Sequence, residues 1–185
     1  MNKPLHSDQK LLELLQTDSE HAIDLLFRSH YAFLCQTVYR IIPDKNLVED
    51  LTQDVFYELW RKRETIVIKT SIRAYLKRAA RNKALNYIRG QKIKFEEEEK
   101  TPDLRSTAIN SIQQMEMSEL QACIDKAIDK LPERCRLVFS LSRFEEMSYK
   151  QIAEALDISI KTVENQISKA LKLLRIAVAE YQQAK

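Results

Sequence analysis

Lys161, Thr162, Asn165, Gln166, Lys169 and Lys172 follow one another at short spacings in and just after the stretch SYKQIAEALDISIKTVENQISKAL (148–171). On a helix they form the face left over once Val163 and Ile167 turn inward. Long amide side chains of this kind can reach base edges in a major groove, and lysines can neutralise phosphates. A second group lies upstream. Between Arg61 and Lys94 the chain carries twelve Lys and Arg against the single acid Glu64, with Trp60, Tyr75 and Tyr87 interleaved. Cations that track a backbone beside rings that stack on bases suit single-stranded nucleic acid. One-sign charge this dense repels itself unless an anion relieves it. The bland alternative for both groups is a solvated polar face over an ordinary helical core.

The helix before the basic segment has the opposite sign. Asp50, Gln53, Asp54, Tyr57 and Glu58 fall on one helical face. Such a face repels DNA and suits protein docking. Catalytic chemistry has no comparable constellation. His6, His21 and His30 are scattered, and Cys35, Cys123 and Cys135 are odd in number and widely spaced. No C-x-x-C pair or histidine cluster suggests a metal, and no nucleophile sits with a base. The reading is therefore no enzyme, no cofactor, no metal and no small-molecule substrate. The thiols read as reduced residues of helix faces, which implies a reducing, cytoplasmic setting.

The elements that must position these residues are helices throughout. Apolar residues recur at period 3.6 from Ile23 to Ile41, through NLVEDLTQDVFYELWRK, and along Ile72, Leu76, Ala80, Ala84 and Ile88. Pro43 and Asp44 break the first of these, and Gly90 stands where a helix C-cap is expected. It is the single glycine of the chain, which argues against phosphate loops, Rossmann turns and hairpin-rich sheets. The stretch QKIKFEEEEKTPDLRSTAINS has no steady period and reads as a flexible acidic linker. Periodicity resumes through Leu120, Cys123, Ile124, Ala127, Ile128 and Leu131, and Pro132 suits the first turn of the helix carrying Leu137, Val138 and Leu141.

Next comes the stretch 148–171. Ile152, Ala153 and Leu156 face inward, Ile158 plugs a turn, and Ser159 can cap the second helix. Small Ala, turn apolar, capping Ser and Thr-Val together specify a helix-turn-helix. The expected fold is all-α, with two small helical modules joined by a flexible linker. The boundaries are 1–90, 91–115 (the linker) and 116–185, and the last module holds the helix-turn-helix. Neither the start, MNKPLHSDQK, nor any other stretch resembles a signal core or the roughly 18 apolar residues of a membrane span.

VEDLTQDVFYELWR, then SIRAYLKRAARNKALNYIR, then LPERCRLVFSLSRFEEMSYKQIAEALDISIKTVENQISKALKLLR together resemble a bacterial RNA polymerase sigma factor of the sigma-70 family. The two-module layout is similar to the extracytoplasmic function (ECF) subfamily. The resemblance covers nearly the whole chain outside the N-terminal tip and the linker. It implies promoter recognition and transcription initiation, with core RNA polymerase, promoter DNA and an anti-sigma factor as partners. Asp50, Gln53, Asp54, Phe56 and Trp60 would dock on the clamp helices of the polymerase's largest subunit. Arg73, Lys77, Arg78, Arg81, Asn82, Asn86 and Arg89, with the loop 64–70, would bind and open the −10 element and capture a flipped non-template base. Ser159, Lys161, Thr162, Asn165, Gln166 and Lys169 would read the −35 element as duplex. The linker would thread toward the polymerase cleft. Asn86 stands where many relatives have Asp, and Glu164-Asn165 where basic residues are common, so the promoter bases do not follow from the resemblance.

A rival from another class is a helix-turn-helix repressor or activator that dimerises on a palindromic operator. It would need a pairing surface. The stripe Val163, Ile167, Leu171, Leu174 and Val178 on the long last helix is more simply core, so the free chain is expected to be a monomer.

Overall fold

A computed structural model describes residues 8–91 and 117–183, all-helical among the described residues. They divide into two compact units, separated between residues 92 and 93. The first holds α1 (Asp8–Thr17), α2 (Ser19–Tyr39), α3 (Lys45–Arg61) and α4 (Ile72–Gly90). The second holds α5 (Met117–Asp129), α6 (Glu133–Arg143), α7 (Tyr149–Leu156) and α8 (Ile160–Gln183). Most of the linker, with Lys92, Lys94 and the acid run 96–99, lies outside the described residues.

In the first unit α2 packs against all three other helices, and α3 packs on α4. Leu26, Leu34 and Val38 of α2 are fully buried, as are Ile72, Leu76, Ala80 and Ala84 of α4. Two alanines four apart let α4 approach its neighbours closely, which a larger side chain would prevent. Local sequence fixes the starts of α2, α3 and α4. Asp18 accepts from His21 N at 3.3 Å, Asp44 from Asn46 N and Leu47 N at 3.0 and 3.2 Å, and Ser71 from Ala74 N at 3.2 Å. These side chains satisfy amides that a helix N-terminus leaves without partners. A longer-range bond adds to them: Asp8 Oδ2 accepts from Ile72 N at 3.1 Å, so α1 helps to hold the first turn of α4.

Three features depart from the sequence expectation. Helical order begins at Asp8, ahead of Ile23, because Leu11 and Leu15, one turn apart, are both buried. Gly90 is the last residue of α4 and has no positive φ; the cap is Gln91 in a right-handed conformation, so the glycine's freedom is not used there. Pro132 lies at the N-cap of α6, one residue before its first turn, and makes no side-chain cap.

In the second unit α8 packs on α5, α6 and α7. Leu131, Cys135 and Ala170 form a buried cluster, with Phe139 and Leu174 packed against it. The α7 start is a full capping box: Ser148 Oγ accepts from Gln151 N at 3.3 Å, and Gln151 Oε1 accepts from Ser148 N at 2.9 Å. Asp157 closes α7 in the left-handed region at φ 55° and ψ 49°. Its short side chain tolerates that conformation better than most non-glycine residues do. Ile158 N then bonds Ala153 O at 3.0 Å, and Ser159 Oγ accepts from Thr162 N at 3.0 Å to start α8.

Ser148→Ala removes one half of the capping box: Gln151 N loses its acceptor, while Gln151 Oε1 can still accept from the backbone N of residue 148. The expected cost is about 1 kcal/mol, read as faster hydrogen exchange at the first-turn amides of α7 and unchanged exchange in α2.

Candidate polymerase and nucleic-acid interfaces

Burial of one stripe on α4 sends the other positions outward. Arg78, Asn82 and Asn86, four residues apart, and Arg89, three further on, are all exposed and form one continuous line. Asn86 Oδ1 accepts from Arg89 Nη2. Arg73 is exposed too, but its guanidinium lies 3.6 Å from the centroid of the Phe33 ring on α2, which fixes its direction. Lys77 and Arg81 are half-buried flanking residues, and Arg81 Nε is buried with no hydrogen-bond partner among the described residues. Tyr75 and Tyr87 are half-buried on the same helix, so part of each ring reaches the surface. The seven residues proposed for the downstream element thus share one helix, and four of them make a single outward line.

The expected docking set on α3 divides. Asp50, Gln53 and Asp54 are exposed. Trp60 is 41% exposed, and Arg63 lies over its ring at 4.7 Å. Phe56 is a correction. It is only 4% exposed and sits 5.0 Å from the ring of Phe27, so its side chain belongs to the contact between α2 and α3 and offers little to a partner. Tyr57 fits the outer face better at 57% exposed, with its ring 6.3 Å from that of Trp60. Spacing alone places it beside Asp50, Gln53 and Asp54 on the face suited to docking, although the family resemblance points to Phe56 instead.

Charge on this face is partly answered from within. Lys83 of α4 donates to Asp54 Oδ2 at 2.9 Å. Arg61 and Lys62 meet Glu58 at 2.8 and 3.3 Å, and the hydrogen bond from Arg61 leads in holding the Glu58 carboxyl below its ordinary range. Asp54 is therefore a link between the acidic and the basic helix.

Five of the six expected reading residues lie along the first three turns of α8, and the sixth, Ser159, immediately precedes it. Lys161, Asn165 and Lys169 are exposed, and Lys161 pairs with Glu164 at 3.3 Å. Ser159 and Thr162 are bonded to each other at 2.9 Å as part of the cap, which limits their reach. Gln166 is half-buried and held from below by α6. The stripe beneath is buried at Val163, Ile167 and Ala170, but Leu171 is 40% exposed and leaves the expected core. Among the described residues no cluster of His, Cys, Asp and Glu could hold a metal, and no helix is long and apolar enough to cross a membrane.

These units define a helical protein whose first half pairs an acidic helix with a basic one and whose second half is a helix-turn-helix. The model for Sigma-70 region 2 matches residues 26–93, and that for Sigma-70, region 4 matches residues 121–174. RNA polymerase sigma-H factor of Pseudomonas aeruginosa is 26% identical over 176 residues, covering 88% of this chain and 89% of that protein. ECF RNA polymerase sigma-E factor of Escherichia coli is 27% identical over 174 residues, covering 89% of this chain and 90% of that protein. Among solved structures, the sigma factor RpoE of Bartonella quintana in complex with the anti-sigma factor NepR aligns at a TM-score of 0.48 and 20% identity, over 88% of this chain and 97% of that one. Both matches are to regions of one family, and the chain belongs to the sigma-70 family. Region 2 begins inside α2, so α1 lies outside the matched segment.

Behind the α4 start lies His30 on α2, half-buried, with Nδ1 at 2.7 Å from Ser29 Oγ and 3.2 Å from Leu26 O. Burial lowers its pKa from the ordinary 6.5, and Arg73 adds to this, while the Leu26 carbonyl and Asp8 oppose. The fold thus favours the neutral ring. Below pH 6.5 the unfolded chain binds the proton more readily, so this contribution to stability is complete above that pH and is lost as pH falls toward the lower folded value. Urea midpoints of the first unit, followed by Trp60 fluorescence at pH 7.5 and 5.5, are expected to drop in the wild type and to change less in His30→Gln.

Proposed function

We propose that this chain binds core RNA polymerase and directs it to promoters whose two elements are read by separate units. The observation that carries this is the order of the two matches: region 2 falls on the unit with the acidic and basic helices, and region 4 on the helix-turn-helix. A dimeric repressor would not need both. In this reading the outer face of α3, with Asp50, Gln53, Tyr57 and Trp60, meets the clamp helices of the polymerase's largest subunit. Asp54 contributes while bridged to Lys83.

The line Arg78, Asn82, Asn86 and Arg89, flanked by Arg73, Lys77 and Arg81, takes the −10 element. Guanidinium groups hold the phosphates of the opened strand, the asparagines address bases, and the partly exposed rings of Tyr75 and Tyr87 offer stacking surfaces. The outer face of α8, with Lys161, Asn165, Gln166 and Lys169, enters the major groove of the −35 element. Ser159 and Thr162 support that face by fixing the start of the helix. Strand opening draws on binding free energy, with no covalent step and no cofactor. The protein acts as an initiation factor in the cytoplasm, is monomeric when free, and is held inactive by an anti-sigma factor that covers the same faces.

Each unit alone addresses a short site. On one polymerase the second contact forms at high effective concentration, so specificity appears only in the assembled enzyme. Gel filtration with bacterial core polymerase tests the first step. The wild type is expected to co-elute, and Asp50→Lys and Trp60→Ala are expected to elute alone. Asp50 is the cleaner reversal, because a lysine at 54 would also confront Lys83. Elution of the folded wild type apart from polymerase would sink the reading.

A further inference from the structure

Gln166 is the one proposed base-reading residue held by a side chain of another helix among the described residues. The thiol of Cys135 on α6 donates to its Oε1 at 2.9 Å. Cys135 is 1% exposed and packed with Leu131 and Ala170, so the thiol cannot turn to solvent for another partner. Burial pushes the thiol pKa up, against a smaller downward pull from Lys169, and so keeps it protonated and a donor. Gln166 itself is half-buried between exposed Asn165 and buried Ile167.

We propose that Cys135 sets the base preference of the upstream-element reader by holding the Gln166 carboxamide with its oxygen inward, so that its amino group is what faces the groove. This rests on the assignment of α8 to the −35 element. A freely turning glutamine can lay oxygen and nitrogen side by side against adenine, accepting from N6 and donating to N7. With the oxygen turned toward α6, the outward group is a pure donor. Guanine matches it best, because its N7 and O6 are two adjacent acceptors. Adenine offers only N7 and sets its own amino group against that of Gln166. Cytosine presents a donor. Cys135 is thus a positioning residue, buried beneath the reading face.

The test uses the full chain in complex with core polymerase and a promoter library randomised across the upstream element, with transcript yield read for each base. The wild type is expected to favour guanine over adenine by about tenfold at one position, and Gln166→Ala flattens that position and no other. Cys135→Ala shifts the same position toward adenine severalfold. Cys135→Ser keeps a donor at the site and keeps the guanine preference. A structural role alone would lower yield at all positions together, and serine would give no selective rescue. Cys135→Ala with an unchanged preference, while Gln166→Ala flattens it, overturns the proposal and leaves the DNA-reading assignment intact. Gln166→Ala with no effect on any position overturns the placement of Gln166 against a base. A wild type that gives no promoter-specific transcript on core polymerase overturns both readings at once.

Discussion

The burial of a single stripe on α4 decides what the first unit can present. Ile72, Leu76, Ala80, Ala84 and Ile88 are each 5% exposed or less, and together they lock the rotation of the helix. Fully burying one large aliphatic side chain is worth about 2–3 kcal/mol, so turning the helix about its axis would forfeit several such contributions. With the rotation fixed, Arg78, Asn82, Asn86 and Arg89 have one place to go. The two alanines matter as much as the large residues, since they set how near α4 lies to its neighbours, and thus whether Lys83 can reach Asp54.

Opposite charges on adjacent helices give the unit two incompatible surfaces. A polyanion is attracted to α4 and repelled from the outer face of α3. Their internal contacts temper the contrast: Lys83 meets Asp54, Arg61 and Lys62 meet Glu58, and Arg73 stacks on Phe33. All three ion pairs include an exposed partner, so their contribution to stability is small. Their stronger effect is directional, because a charge held by a neighbour has a defined position before any partner arrives.

The helical stripes were legible because period 3.6 is a local signal, and the joint spacing of Ala153, Ile158, Ser159 and Val163 identified the helix-turn-helix without any long-range knowledge. What failed did so for identifiable reasons. Phe56 and Trp60 sit four residues apart and both look like contact aromatics, but only the packing of Phe27 shows that Phe56 is interior. α1 was missed because its ten residues are few and it begins in a polar tail. Gly90 invited a C-cap reading that the backbone does not use. The bonds from Asp8 to Ile72 and from Cys135 to Gln166 join residues 64 and 31 positions apart, and no local pattern encodes such pairs.

Those two long-range bonds share a logic. Each joins a supporting helix to one of the faces proposed to meet DNA: Asp8 of α1 fixes the first turn of α4, and Cys135 of α6 fixes an amide on α8. In both cases the outward residues could be guessed from composition, but their precision depends on a partner behind them. A lysine that contacts phosphate tolerates loose positioning, since Coulomb attraction varies slowly with distance. A carboxamide that distinguishes bases does not, because a hydrogen bond weakens steeply with angle. Supporting bonds are therefore most valuable beneath the polar, uncharged residues of a recognition surface. Gln166 has such a bond beneath it, from Cys135 of α6, whereas its neighbours Lys161, Asn165 and Lys169 all stand exposed.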